Sequence, residues 1–259
     1  GFDGVNIFDK EKSALSDVAV KRELDFPEDQ GGKAGSTAAT YLKSLDVLAE
    51  KSDVDIQLLA IPGIRQGLIT DKAIESVEDR FDAMYLMDTI VFDSENLPVT
   101  GSSQKVSVTN TVNRFSNRVL DTSFAAAYFP DVILQDPSTG VNVQAPPSVA
   151  VLGAFGLNDQ LAHPWFAPAG FTRGAMANVL ETQVKLNRDN LDALYDADIN
   201  PITSFPHTEG VVVFGQKTLL RTQSSLDRVN VRRLLIEIRR RVRNVANSFI
   251  FEPNREETL

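Results

Sequence analysis

The stretch from Asp55 to Phe92 constrains the fold more than any other part of the chain. "DIQLLAIPG" (55–63) is a short apolar run closed by Pro62-Gly63, the pattern of a buried strand. "TDKAIESVEDRFDAM" (70–84) then takes a helical period. Ala73, Ile74, Val77, Phe81 and Met84 fall on one face, and Asp71, Glu75, Glu78, Asp79 and Asp82 on the other. "AMYLMDTIVF" (83–92) is a second buried strand. Two strands joined through a helix must run parallel, so the expected class is α/β, with a mixed, largely parallel central sheet flanked by helices.

The rest of the chain continues this alternation. Residues 1–36, rich in Asp, Glu and Gly, read as an irregular lead-in of the same domain with at most one short strand. A helix is expected over 37–48, with Ser36 as its N-cap. "QKVSVTNTVNRFSNRVL" (104–120) reads as a helix weakened by β-branched residues. Strand material follows at 123–129 and 132–143, interrupted at Pro130 and turned at Asp136–Gly140. A helix opens behind Pro146-Pro147 and runs over 148–161. Residues 163–174 read as a loop, 189–195 as a helix, and 202–205 and 210–215 as strands. At 259 residues with 42% hydrophobic content, one large domain or two modest ones are expected.

Few chemistries fit the residues. With no cysteine there is no disulfide, thiolate metal site or cysteine nucleophile. No apolar run is long enough to span a bilayer as a helix, and "GFDGVNIFDK" lacks the basic and apolar regions of a signal peptide. The two histidines, His163 and His207, both stand beside prolines in expected loops, without a zinc-type partner or a G-x-S-x-G elbow. "GGKAGST" has the wrong order for a phosphate loop. "DADINP" (196–201) starts like a calcium loop, but Pro201 replaces the required Gly and His207 the bidentate Glu. No catalytic, metal or cofactor site is therefore assigned. The acidic face of 71–82 is either a solvated face or a surface that pairs with a basic partner.

The helix expected over Val229–Phe249 is the unusual element. Residues 221–259 carry nine Arg against five Asp or Glu, a net of +4, which leaves −13 for residues 1–220 in a chain of −9. On a helical wheel Val231, Leu234, Leu235, Ile238, Val242, Val245, Ala246 and Phe249 form a broad stripe, expected to be its core face. Arg232, Arg233, Arg240 and Arg243 gather opposite with Arg239 at their edge, and Arg241 flanks the other side. Ile236 lies among the arginines. An isoleucine there suits a protein contact better than solvent or a nucleic-acid groove, and neither a helix-turn-helix nor interleaved aromatics is present.

At these residues the chain resembles the contractile tail sheath family of bacteriophages and related injection machines. The resemblance is carried, in order, by "GFDG", "DIQLLAIPGI", "DRFDAMYLMD", "SFAAAYFPDVILQDPSTG", "APPSVAVLGAFGLND", "HPWFAPAGFTRG", "LDALYDADINPI", "GVVVFGQKTL", "RVNVRRLLIEI" and "FEPN". It covers nearly the whole chain. Such subunits form a helical tube around an inner tail tube and slide from an extended to a shorter, wider state. The resemblance thus implies a structural protein of the virion tail, assembled in the host cytoplasm, and not an enzyme. Its implied partners are other sheath subunits, the inner tube protein, and baseplate and tail terminator proteins. It implies no cofactor, no direct nucleic acid and no membrane insertion.

The chain opens on Gly1 and ends at Leu259, inside the family pattern. It is therefore expected to be the α/β core of a sheath subunit, truncated at both ends, lacking strand-exchange arms and monomeric. The family motif marks Trp165, Pro168, Gly170, Gln216, Lys217, Thr218, Leu219, Glu252, Pro253 and Asn254 as structural positions. Trp165, Phe166 and Phe171 read as a local hydrophobic plug stiffened by Pro164 and Pro168. Arg232, Arg233, Ile236, Arg239, Arg240 and Arg243 are expected to face adjacent subunits or the tube, with Asp71, Glu75, Glu78, Asp79 and Asp82 as their acidic partner surface. The alternatives are an α/β hydrolase or nucleotide-binding enzyme, marked by a polar pocket around His163 or His207, and a nucleic-acid binder using the arginine helix.

Overall fold

The crossover read from residues 55–92 is present, and the rest of the fold is built around it. The computed structural model describes residues 16–51, 54–99, 104–176, 178–205 and 210–251. Helices α1 (Ser16–Asp25), α2 (Pro27–Gln30) and α3 (Ser36–Ala49) lead into β1 (Leu58–Ala60), α4 (Gly67–Arg80) and β2 (Met84–Asp88). Next come α5 (Val108–Ser116), β3 (Ala125–Phe129), β4 (Val132–Gln135), β5 (Asn142–Ala145) and α6 (Pro147–Leu161). The chain continues through α7 (Gly170–Arg173), β6 (Ala175–Met176), β7 (Val179–Thr182), α8 (Arg188–Asp196), β8 (Ile199–Ser204), β9 (Val211–Val213) and α9 (Val229–Asn247).

The main sheet has six strands in the order β1-β2-β3-β8-β9-β6. The first four are parallel neighbours, and β9 and β6 complete it antiparallel. This is the mixed, largely parallel class that the sequence predicts. Every residue of β2 and β3 is buried, as for strands covered on both faces, which is why these segments read as unbroken apolar runs. A separate antiparallel sheet of three strands, β5-β4-β7, is held partly by the Asp136–Gly140 turn. In that turn Asp136 accepts from the Ser138 amide and hydroxyl and from the Thr139 hydroxyl, and these bonds hold its carboxyl down to about 2.

Several expectations need correction. Residues 16–34 are mostly helical, not irregular, while residues 1–15, including "GFDG", lie outside the described residues. Ser36 is the first residue of α3 and caps nothing by its side chain; Gly35 occupies the N-cap. The helix of 104–120 is only α5, since Arg118 leaves the helical path to reach Thr70 and Asp71 on α4. Phe81 ends α4 with a positive φ and is half exposed, so only Ala73, Ile74 and Val77 of its expected apolar face stay within the helix. The loop of 163–174 contains α7, and the short strands β6 and β7 have no counterpart in the sequence reading.

The acidic lead-in has a physical role that composition hides. Glu23 on α1 is 1% exposed, and its carboxylate accepts the backbone amides of Thr37 and Ala38 at 2.8 Å each, at the N-terminus of α3. Asp17, two turns earlier, accepts the amides of Arg65 and Gln66, fixing the turn that enters α4. Asp88, at the end of β2, accepts the Ser148 amide and hydroxyl at 2.8 Å and so holds the start of α6. Three helices that lack a cap of their own are thus started by carboxylates from distant segments.

Burial pushes the Glu23 carboxyl up, but the amides of Ala38 and Thr37 and the hydroxyls of Thr37 and Ser36 outweigh it and hold the group below its ordinary value of 4.5. A depressed carboxyl stabilises the fold above its unfolded value and loses that contribution as pH falls through the folded one. Glu23→Gln should therefore unfold at lower urea than the parent at pH 7, and the gap should close as pH drops below 4.5. A gap that stays constant to pH 3 would show that charge is not what Glu23 supplies.

Candidate functional site

Helix α9 has neither glycine nor proline over Val229–Asn247, and its start is fixed by the segment before it. The amide of Val229 donates to the Gln216 carbonyl, and the Thr218 amide and hydroxyl donate to the carbonyls of Asp227 and Leu226. Leu219 pairs with Thr122 and Ala125 at the entry to β3. Lys217 exchanges backbone bonds with the buried amide of Asn200 on β8, and its ammonium bonds Asp198 at 2.8 Å over the Tyr195 ring. Gln216, Lys217, Thr218 and Leu219 are therefore the strap between the sheet and α9. Glu252, Pro253 and Asn254 lie outside the described residues, as does His207.

From this strap α9 crosses the N-terminal ends of β3, β2 and β1 like a bar, with Arg232, Arg233, Arg240 and Arg243 turned toward the body. Arg232 lies 4.0 Å over the Phe124 ring and bonds the Ser123 hydroxyl just before β3. Arg233, only 4% exposed, makes a two-pronged bond to Asp159 on α6 at 2.9 and 2.6 Å and covers Phe155. Arg239 stacks on Phe81. Arg240 pairs with Asp55 before β1, and Arg243 with Asp82 before β2 at 2.9 Å. Ile236 is buried at the centre of this face. Guanidinium groups suit such a site because they stay charged, stack on rings and bury their stems.

The expected orientation of α9 is thus reversed. Leu235, Ile238, Val242, Val245 and Phe249, read as its core stripe, are exposed, with Val242 and Val245 at 60% and 61%. The arginines expected to face neighbours meet acidic and aromatic groups of their own chain. Ile236 among the arginines was the signal available in the sequence: it marks the buried centre of the inner face. The consequence is testable. Val242→Asp and Ile238→Asp should each shift the unfolding free energy of the isolated chain by no more than about 0.5 kcal/mol in urea titrations. A core stripe would instead lose about 3 kcal/mol or more, from the buried charge and the lost packing.

The acidic face of α4 is divided in the same way. Asp71 pairs with Arg118 at 2.5 Å and Glu75 with Lys72 at 3.0 Å, both at the surface. Glu78 and Asp79 also stay on the outside of the helix, whereas Asp82 is buried between Arg80 and Arg243. The aromatic loop is less unified than expected. Trp165 stacks on His163 beneath Arg241, and Pro168 is buried. Phe171 instead joins Phe205 and Phe214, with Gly170 at φ +81 making the turn between the two groups. Neither of two clefts of about 280 and 400 Å3 is lined by His163. Among the described residues no cluster of His, Asp or Glu could hold a metal ion.

The longest helix, α9, thus lies on an α/β core through ion pairs and leaves Leu235, Ile238, Val242 and Val245 exposed. By sequence, the chain is similar to phage tail sheath proteins. It is 27% identical over 232 residues to the tail sheath protein of Enterobacteria phage T4, a match covering 84% of this chain and 34% of that one. It is 39% identical over 108 residues to the tail sheath protein of Vibrio phage KVP40, covering 42% and 16%. The chain thus spans about a third or less of the curated relatives it matches. No family model matches. In three dimensions the fold matches a chain of the anti-feeding prophage baseplate with a TM-score of 0.61 at 22% identity, over 84% of this chain and 52% of that one. It likewise matches the contracted sheath complex of an extracellular contractile injection system with a TM-score of 0.60 at 23% identity, over 79% and 51%.

Proposed function

We propose that this chain is the α/β core of a contractile tail sheath subunit, a structural component of a phage tail that polymerises around an inner tube and drives it by changing its own packing. The observation that carries this reading is the match to the T4 tail sheath protein over 84% of the chain. Its partners are other sheath subunits, the tube protein, and the baseplate and terminator proteins at the tube's ends, after assembly in the host cytoplasm. No nucleotide or cofactor takes part, because the energy resides in the packing of the assembled lattice.

The described geometry suits this role in one respect above all. A subunit that must slide against neighbours needs an interior that does not rearrange, and interfaces that exist in two packings. Here α9 is fixed to the sheet edge by ion pairs within the chain, so the contacts left to change are the exposed apolar ones. With Arg232, Arg233, Arg240 and Arg243 bonded to groups of the same chain, little of the arginine face is left for a nucleic-acid binder. The acidic outer residues Asp71, Glu75, Glu78 and Asp79 remain part of the proposed assembly surface.

Electron microscopy of negatively stained samples tests the reading. This chain alone should give isolated, monomeric particles, and a longer chain carrying it within a complete sheath protein should give tubes. Absence of tubes from the longer chain across a salt series would overturn it.

A further inference from the structure

Residues 61–66, between β1 and α4, form a turn that meets three carboxylates from separate parts of the chain. The Ile64 amide donates to the Ile61 carbonyl, and Gly63 takes a φ of +80. Asp17 on α1 accepts the amides of Arg65 and Gln66 at 2.7 and 3.1 Å and the Gln66 side-chain amide at 3.0 Å. Asp88, at the end of β2, accepts the Gly63 amide at 3.0 Å while it holds Ser148 at the start of α6. Asp131, two residues beyond β3, pairs with the Arg65 guanidinium, and these two side chains are only 10% and 11% exposed. Since β1, β2 and β3 are parallel, the turn lies at their C-terminal ends and Arg65 reaches from the first to the third.

Asp131 in turn stands where the strands of the smaller sheet meet. It immediately precedes β4, its second carboxylate oxygen accepts the Gln144 side-chain amide from β5 at 2.9 Å, and its carbonyl accepts the Gln183 amide just after β7 at 2.8 Å. One guanidinium therefore joins a turn pinned by α1 to a residue bonded to both outer strands of the other sheet. Arg65 keeps this position although its Nε is buried with no hydrogen-bond partner among the described residues. A buried donor left unmet is unfavourable, so the side chain is held by its two ends, the turn behind it and Asp131 in front. The sheet also rests on the core through Val132 and Val179, both buried. Apolar contact of that kind is non-directional and holds the sheet without fixing its place as the ion pair does.

We propose that the 61–66 turn is a clasp that couples α1 to the three-stranded sheet, with Arg65 as its positioning residue. A displacement of α1 passes through Asp17 to the turn and through Arg65 to Asp131, and the sheet follows as a unit while β8 and β9 stay in place. The inference goes beyond the sheath reading and does not depend on it, because every contact in the path lies within one chain. Contiguous contacts amount to coupling only where a change at one end alters the other, and that is the quantity to measure.

Native-state amide exchange of the whole chain, with Asp17→Ala as the perturbation, is the experiment. Amides that pair across the three-stranded sheet should exchange about fivefold faster, the scale of one net hydrogen bond, while those of β8 and β9 keep the parent rates. In an Arg65→Met background the same Asp17→Ala change should alter the three-stranded sheet by less than about twofold, since the path is already cut. Gln144→Leu is a second background that leaves the ion pair intact. It should abolish the response at β5 and keep it at β7, and it carries the test if Arg65→Met does not fold. Faster exchange confined to α1 and the turn would mean that the clasp transmits nothing, and an equal increase in β8 and β9 would mean a general loss of stability; either overturns the proposal. So would a response of the three-stranded sheet that is undiminished in the Arg65→Met background or unaltered at β5 in Gln144→Leu.

Discussion

Replacing Arg80 with methionine should lower the unfolding free energy by about 3–5 kcal/mol, the range for leaving one member of a buried ion pair without its partner. Arg80 closes α4 with 1% of its surface exposed. Its Nε donates to Asp82 at 2.9 Å, one terminal nitrogen donates to the Val54 carbonyl at 2.7 Å, and the other reaches the Leu48 carbonyl at the end of α3. Methionine fills much of the same space but donates nothing, so two carbonyls and half of a buried carboxylate lose their partners together. For a chain of this size the melting temperature should fall by about 10 °C. Arg80→Lys should recover only part of the loss, because one ammonium cannot serve three acceptors in a plane. The effect should also reach α9, since the second oxygen of Asp82 holds Arg243. Amide exchange of the last turns of α9 should accelerate in Arg80→Met. If both the urea midpoint and this exchange were unchanged, the network would not be what joins α3, α4 and α9.

Apolar run length and period carried much of the fold. β1, β2 and β3, the central turns of α4 and all of α6 are legible because each is decided by local pattern: buried parallel strands lack polar alternation, and the helices have a clear period or a proline start. What was not legible depends on partners far along the chain. α1 has few apolar residues, and it is anchored by Asp17 and Glu23, whose amide partners lie 48 and 14 residues away. The direction in which α9 faces was misread because an amphipathic wheel identifies two faces without saying which one is inside. A rule that buries the apolar side fails here, because ion pairs with distant carboxylates turn the arginine side of α9 toward the core. Asp55, Asp82 and Asp159, scattered over three segments, decide the matter, and no local window contains them. The structural role of the Gln216–Leu219 strap was visible only through the family resemblance.

The Arg233–Asp159 pair should respond asymmetrically to truncation, and the asymmetry distinguishes an inward arginine face from a surface one. Arg233 is 4% exposed, whereas the Asp159 side chain keeps 27% of its surface. Asp159→Ala strands a guanidinium between the Phe155 ring and the interior without its counter-ion, and should lower stability by about 3 kcal/mol or more. The ring contact offsets a small part of this loss, about 0.5–1 kcal/mol. Arg233→Met leaves behind a carboxylate that water already reaches, so it should lower stability by only about 1–2 kcal/mol. The double variant should be more stable than Asp159→Ala alone, because removing the stranded charge removes its penalty. Urea titrations of the two single variants and the double variant measure all three numbers. If Arg233 instead pointed to solvent, as a helix with its apolar stripe on the sheet requires, each single variant would change stability by less than about 1 kcal/mol and the order between them would vanish.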